Sequence, residues 1–570
     1  MTRLVNDPQD FPRQALGGFV DAFPRYVRAV HGGVVRATKT PRGKVALVVG
    51  GGSGHYPAFA GWVGQGFADG AVCGNVFTSP SSTAAYSVCR AVERGSGVLI
   101  GFGNYAGDVL HFGQAAQRLR AEGIDARCIA VTDDIASAGT DFPEQRRGIA
   151  GDFPVFRITA AACEEGMSID QVESVFRRAN ARTRSIGVAF AGCTLPGAGA
   201  PLFTVPWGSM GVGMGIHGEP GIDDAPMVDS ATLAADLVDR ILADRPGGAG
   251  RRVLPILNGL GDTKYEEMFV LWGDVCSQLA AAGLDIVDPQ VGEFVTSLDM
   301  AGVSLTLVWL DAELERLWLQ PCDTPAFRRG CVAAVEADRD ELSTEPPLAP
   351  PVEEGGPPSR EAAASLLAVL DGIHEELSSQ REMLGDLDAV AGDGDHGIGM
   401  EKGARAAHAA AREAVELGAG LATTLRRAAT AWSDEAGGTS GALWGAFLLS
   451  VAESMNDADA PSASDLVRGL RSGVNSVEEL GGARPGDKSM VDAMEPFVSA
   501  LENVGQKDWA SFATGWLQAV ETARQATERT KNHVARVGRS RPLGDKSLGT
   551  PDPGATSFVL VMDAVGRRMG

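Results

Sequence analysis

Basic charge is what this sequence lacks most plainly. Over 570 residues, 50 Lys+Arg stand against 73 Asp+Glu, for a formal charge of −23. That sign excludes a protein that lives on phosphate backbone, and so argues against a nucleic-acid partner. It also repels a nucleotide triphosphate, so any phosphate site here has to supply metal ions and backbone N–H groups locally. The eight cysteines include no CxxC pair and no His/Cys cluster at zinc-ligand spacing, which excludes a zinc ribbon and predicts reduced, mostly buried thiols. No stretch approaches about 18 uninterrupted apolar residues, so no membrane span is expected. The start, MTRLVNDPQDFPRQ, has no long apolar region or small-residue cleavage site; the expectation is a cytoplasmic protein. Nothing matches the Walker A pattern GxxxxGK[ST], and no repeat of fixed period is present.

What is there divides in two. Residues 341–360, ELSTEPPLAPPVEEGGPPSR, carry six prolines, which withhold backbone donors from helix or sheet and favour an extended, solvated linker. This places one region at 1–340 and another at 361–570, each long enough for its own core. In the first, the short apolar runs Val45–Val49, Val98–Ile100 and Cys128–Val131 alternate with helical stretches such as Phe112–Glu122. The pattern predicts α/β units around a mainly parallel sheet. Ile186–Phe190 and Val253–Leu257 open a second α/β pattern, so two subdomains are expected, with a break near 185. In the second region, Leu366, Leu370, Ile373 and Leu377 follow helical spacing, as do stretches around 400–430, 439–455, 464–480 and 508–530. That half reads as all-helical. The fold class is therefore multidomain, α/β followed by all-α.

Chemistry is sought where strands end in polar, glycine-rich loops, since open α/β sheets bind ligands there. One such loop is Gly50 to Pro57, with His55 in it; a lone histidine is more often a satisfied structural residue, but this one sits beside the expected crevice. Others are Gly103-Asn104-Tyr105-Ala106-Gly107-Asp108 and the segment Gly211 to Pro220, which holds His217. An imidazole and a carboxylate converging on one pocket are the usual equipment for moving a hydroxyl proton, although Asp108 serves equally well as a helix N-cap. In the helical half, Asp388, Asp393 and Asp395 lie in one glycine-containing turn, the donor type that Mg²⁺ requires; a solvated acidic turn is the plain alternative. Gly437-Gly438-Thr439-Ser440-Gly441 precedes a helical segment and offers backbone N–H groups to an oxyanion, or is simply a turn. Arg484, Arg539 and the Asp552-Pro553-Gly554 turn add charge and tight bends.

Taken in order, GGGSGHYP, CGNVFTSP, NYAGD, RRGIAG and GMGIHGEPG resemble the ketose-binding half of the dihydroxyacetone kinases. LDAVAGDGDHG, GGTSG, GARPGDKSM and LGDKSLGTPDPGA resemble that family's nucleotide-binding half. The resemblance spans nearly the whole chain and implies the fused, ATP-using arrangement, with a helical barrel as second half and a homodimer as the common assembly. It implies that His217 holds the ketone as a covalent hemiaminal, that Asp108 accepts the hydroxyl proton and that His55 assists. It implies further that the backbone at Gly52, with Ser53, Tyr56, Asn75, Ser79 and Gly103, surrounds the sugar. Asp388, Asp393 and Asp395 match the residues that hold two Mg²⁺ ions against ATP. His396, Gly438, Thr439, Ser440, Arg484, Arg539, Asp552 and Gly554 match nucleotide-side positions.

The sequence departs from the family pattern at three sugar-side positions. Tyr56 stands where GHEP has an acid, Asn75 where CGD has one, and Gly103 where a lysine normally precedes NYxGD. Losing a long cation beside the sugar leaves room and removes a donor, which leans the substrate towards a four-carbon ketose such as erythrulose over dihydroxyacetone. Alternatives within the architecture are an FAD-cleaving lyase that forms cyclic FMN, a fatty-acid kinase and a non-catalytic ketose sensor. The fatty-acid kinase needs a different first half, and retention of His55, Asp108, His217 and the acidic triad argues against the sensor.

Overall fold

The apolar run that begins at Val45 becomes the middle of a sheet because both of its faces are covered. Leu47 and Val49 join one core with Phe156 and Ile158, whereas Ala46 and Val48 join another with Val88 and Ala115. Side chains alternate across a strand, so a strand clothed on both sides is apolar throughout. The computed structural model describes residues 2–219, 221–347, 351–392, 394–503, 509–538 and 541–569. It comprises two units, Met1–Pro347 and Leu348–Gly570.

In the first unit, α1 (Phe11–Ala22) precedes a six-stranded sheet of β1 (Val27–Val30), β2 (Gly33–Arg36), β3 (Ala46–Ser53), β4 (Gly70–Val76), β5 (Val98–Gly103) and β6 (Ala126–Val131). Their order is β1-β2-β4-β3-β5-β6. From β4 to β6 the neighbours are parallel; β1 and β2 are antiparallel additions. Helices α2 (Ser82–Val92) and α3 (Ala106–Ala121) cover one face, and α4 (Asp152–Glu164) and α5 (Ile169–Ala181) the other.

A second sheet follows, with β7 (Thr183–Ala191), β8 (Ser209–Val212), β9 (Asp223–Pro226), β10 (Arg252–Gly259), β11 (Asp285–Ile286), β12 (Gln290–Gly292) and β13 (Ala301–Trp309). Unlike the first sheet, this one is mainly antiparallel. The pairs β10–β13, β13–β7, β7–β8 and β8–β9 are antiparallel, and only β11 and β12 run parallel to β10. The reason is the connections: β8 returns to β9, and β12 to β13, without a crossover helix, and a direct return reverses the strand. α6 (Ser230–Ala243) and α7 (Tyr265–Ala281) cover one face, and α8 (Ala312–Trp318) follows β13.

The second unit is helical among its described residues: α9 (Pro357–Ser379), α10 (Arg381–Ala389), α11 (His396–Glu416), α12 (Leu421–Ala436), α13 (Gly438–Glu453), α14 (Ala463–Gly481), α15 (Val491–Glu502), α16 (Trp509–Arg529) and α17 (Pro553–Arg568). α9 starts inside the proline-rich segment, because proline in the first turn forfeits only an N–H that has no helical partner anyway. The 400–430 stretch is two helices, broken where Gly418 takes φ +80°. Neighbours run α9–α11–α12–α13–α14–α15–α16–α17 and back to α9. Inside lie the stacked rings of Trp432 and Trp444, 5.3 Å apart, with Phe447, Phe497, Phe558 and Trp516. No helix of the described residues is long and apolar enough to cross a membrane.

Candidate active site

In the first unit the strand-end loops converge. β3 ends at Ser53, so His55 follows immediately, while His217 sits in the loop that joins β8 to β9. Both histidines are buried. Their Nε2 atoms are 3.0 Å apart. His55 Nδ1 lies 2.7 Å from the Thr296 carbonyl oxygen, and His217 Nδ1 lies 2.9 Å from Glu219 Oε1. A carbonyl and a carboxylate only accept, so these partners assign a proton to each Nδ1. Two Nε2 lone pairs then face each other, and a 3.0 Å contact between them requires one shared proton.

The loop is held so that this geometry persists. Glu219 Oε2 accepts from the His217 backbone N–H at 2.9 Å. Arg147 stands between Asp134, at 2.8 Å, and Glu219, at 3.9 Å. Phe77 stacks on His55 with centroids 5.0 Å apart, and Tyr105 meets His217 edge-on at 4.8 Å. Burial, with the Glu219 charge second, pushes the Tyr105 phenol well above its ordinary pKa, so it remains a neutral hydroxyl.

Asp108 is buried in the first turn of α3, three places after the N-cap, which is Tyr105. It is therefore not the cap. The Gly52 backbone packs so closely on Phe77 and Thr78 that a Cβ there would lie 2.7 Å from the Thr78 nitrogen. Ser53 Oγ donates to the Gly74 carbonyl at 2.6 Å, and Ser79 is buried. Gly103 closes β5 beside Tyr105. Tyr56 is 48 % exposed and Asn75 is also exposed, so these two side chains are not drawn into the buried histidine pair.

In the second unit the turn between α10 and α11 gathers negative charge. Asp388 Oδ2 accepts from the Gly394 N–H at 2.9 Å. Burial first, and Asp388 second, raise the pKa of Asp395, with Lys402 offsetting only part. Asp552 caps α17 by accepting from the Ala555 N–H at 2.7 Å, and burial together with Asp492 and Asp388 raises it to about 6. Carboxylates crowded beyond their local cations, all hard oxygen donors, fit a divalent ion such as Mg²⁺. Among the described residues no three ligand-type side chains are gathered for a metal; Asp393 and Arg539 lie outside those residues.

His396 Nε2 donates to Ser557 Oγ at 2.9 Å, since that hydroxyl itself donates to the Gly554 carbonyl; Ser440 Oγ reaches His396 Nδ1 at 3.4 Å. Burial lowers the His396 pKa and keeps the ring neutral. Gly438, Thr439 and Ser440 form the first turn of α13, so its N-terminal N–H groups stand beside His396. Lys488 Nζ donates to the carbonyls of Ser547, at 2.5 Å, and Thr550, at 2.8 Å, tying down the loop that leads to Asp552. Arg484 pairs at 2.9 Å with Glu478 and is exposed.

Reasoning from the sequence gave no role to Glu219, Arg147 or Thr296, and singled out Asp134 only as part of the polar strand-end loop Val131-Thr132-Asp133-Asp134. Glu219 was findable, two residues after His217. Thr296 lies 241 residues from His55 and carries no signal.

Comparison with known proteins finds one family domain within each unit. Residues 17–326 match the Dak1 domain and residues 390–567 the DAK2 domain. The chain is 52 % identical over 577 residues to L-erythrulose 1-kinase of Mycolicibacterium smegmatis, covering all of both chains. It is also 52 % identical over 567 residues to D-erythrulose kinase of the same organism, covering 98 % of this chain and 97 % of that one. The crystal structure of the dihydroxyacetone kinase from C. freundii in complex with AMP-PNP and Mg²⁺ is similar at 28 % identity and a TM-score of 0.53, over 99 % of each chain. A buried histidine pair, an acidic turn and end-to-end similarity of this order lead to one conclusion: the chain belongs to the dihydroxyacetone kinase family.

Proposed function

We propose that the protein transfers the γ-phosphoryl group of ATP to a terminal hydroxyl of erythrulose while His217 holds the sugar as a hemiaminal. The enzyme is an ATP-dependent ketose kinase. The His217–Glu219 pair, with its Nε2 turned to His55, carries this reading. Glu219 keeps the proton on Nδ1, so Nε2 has the lone pair that attacks the ketone carbon. As the N–C bond forms, the carbonyl π pair moves to oxygen, which takes the proton shared by His55 and His217. The Nδ1 proton then shifts towards Glu219, leaving the substituted ring neutral. Asp108 accepts the proton of the terminal hydroxyl as that oxygen attacks phosphorus. Covalent capture selects ketones and fixes the reacting hydroxyl.

In the second unit, Asp388 and Asp395, with Asp393 completing the family triad, would hold two Mg²⁺ ions. When bound, these ions neutralise the ATP phosphates that this acidic protein otherwise repels. The α13 N-terminus and His396 lie on the phosphate side, and the Asp552–Gly554 turn on the nucleotide side. The reading includes a ketose-holding first unit, a helical barrel formed by the α9–α17 ring, a homodimer and a cytoplasmic location.

The test is ATP consumption by the purified protein with Mg²⁺ against D-erythrulose, L-erythrulose and dihydroxyacetone, with FAD as the lyase control. A clear kcat/KM preference for one erythrulose is expected. Preference for dihydroxyacetone would overturn the four-carbon assignment, and silence on every ketose would overturn the kinase reading.

A further inference from the structure

Directly after β4 the backbone takes a conformation that a bulky residue avoids. Phe77 has φ +56°, in the left-handed region, and among the described residues it is the only aromatic residue with a positive φ. Such a conformation is uncommon for a side chain of this size and persists only where the surroundings impose it. Here they are the strand-end loop that carries His55. The Phe77 N–H donates to the Ser53 carbonyl at 2.9 Å. A Cβ at Gly52 would lie 2.9 Å from the Phe77 carbonyl carbon, and one at Gly54 would lie 2.8 Å from Phe77 Cε1, so glycine at both places is what admits this residue. The ring is buried. It stacks on His55 with centroids 5.0 Å apart and planes 22° apart, and it meets His217 at 5.2 Å and 78°.

We infer that Phe77 is a positioning residue: its ring fixes the plane of the His55 imidazole, and with it the Nε2–Nε2 contact from which the ketone oxygen takes its proton. The inference rests on the ketose-kinase reading above. The Thr296 carbonyl fixes one atom of the His55 ring, Nδ1. A hydrogen bond at one atom still lets the ring swing about it, because the last torsion of histidine is broad. A flat face packed at stacking distance removes that freedom. The 3.0 Å contact between the two Nε2 atoms needs this, since a hydrogen bond weakens steeply once donor and acceptor are misaligned. The strained backbone at Phe77 therefore stands where the reaction, on this reading, needs a ring.

The experiment compares wild type, Phe77→Leu and Phe77→Tyr by kcat/KM on the better ketose, by KM for ATP, and by proton NMR of the histidine ring N–H groups. Wild type should show a downfield signal from the proton shared between the two Nε2 atoms, and its absence would overturn the inference. Phe77→Leu keeps apolar bulk and loses the flat face. It should lower kcat/KM on the ketose about tenfold or more, leave KM for ATP unchanged and abolish the shared-proton signal. Phe77→Tyr, which keeps the face, should stay near wild type in all three readings. Wild-type kcat/KM with an intact signal in Phe77→Leu would sink the positioning role while leaving the kinase intact. A Phe77→Tyr as impaired as Phe77→Leu would do the same, since the face would then not be what matters. Wild type silent on every ketose would remove the kinase reading and the inference with it.

Discussion

The two candidate sites pair their charges differently. Directly at His217 the charges are paired, since Glu219 meets an imidazole and Arg147, and Arg147 meets Asp134, although Asp133 and Asp108 press on Asp152 nearby. Around Asp388 they are not, since Asp388 presses on Asp395 and, with Asp492, on Asp552, with Lys402 and Lys488 as partial relief. On the proposed function, the difference teaches what each site would receive. A neutral ketone would add no charge, so its site would be paired beforehand and act through a positioned lone pair. The metal ions that accompany a nucleotide would bring positive charge to carboxylates that lack it.

The largest effect should come from breaking the balanced site. His217→Ala should cost on the order of 10³-fold in turnover on ketoses while Mg²⁺–ATP binding, followed by calorimetry, persists. Unchanged kinetics would remove the hemiaminal. Next, Asp388→Ala should cost on the order of 10²-fold in Mg²⁺-dependent turnover. Capture of ketose on His217, read by mass spectrometry after borohydride-free rapid quench, should be spared, so losing both together would mean the two sites are not separable.

Gly103→Lys restores the cation that the family pattern carries before NYxGD. It should shift the kcat/KM preference about tenfold towards dihydroxyacetone, and a preference that does not move would undercut the weight given to that departure. The smallest effect concerns stability. The folded pKa of Asp152 lies above its unfolded value of about 4, so the folded state binds the extra proton and loses stability as pH rises through that window. Asp152→Asn should therefore melt higher than wild type near pH 8 and converge with it near pH 4; an offset independent of pH would show that titration of Asp152 contributes nothing.

Much of this was legible in the sequence because strand-end loops are contiguous. GGGSGHYP and GMGIHGEPG each carry their histidine among glycines, and the acidic turn lies within eight residues, from Asp388 to Asp395. The direction of the second sheet was not legible, since an apolar run such as Val253–Leu257 reads the same whichever way its neighbour runs. Exposure of Tyr56 and Asn75 was hidden for a similar reason: a loop motif states residue order, while the side on which each chain emerges depends on what packs beneath. Local order, glycine placement and residue chemistry thus determined that two histidine-bearing strand-end loops and an acidic turn exist in this chain. Only the tertiary structure decided that His55 meets His217 and that Thr296 and Glu219 assign their protons. These are contacts between segments remote in sequence, and their energy is paid in desolvation and pairing, which have no period or spacing along the chain.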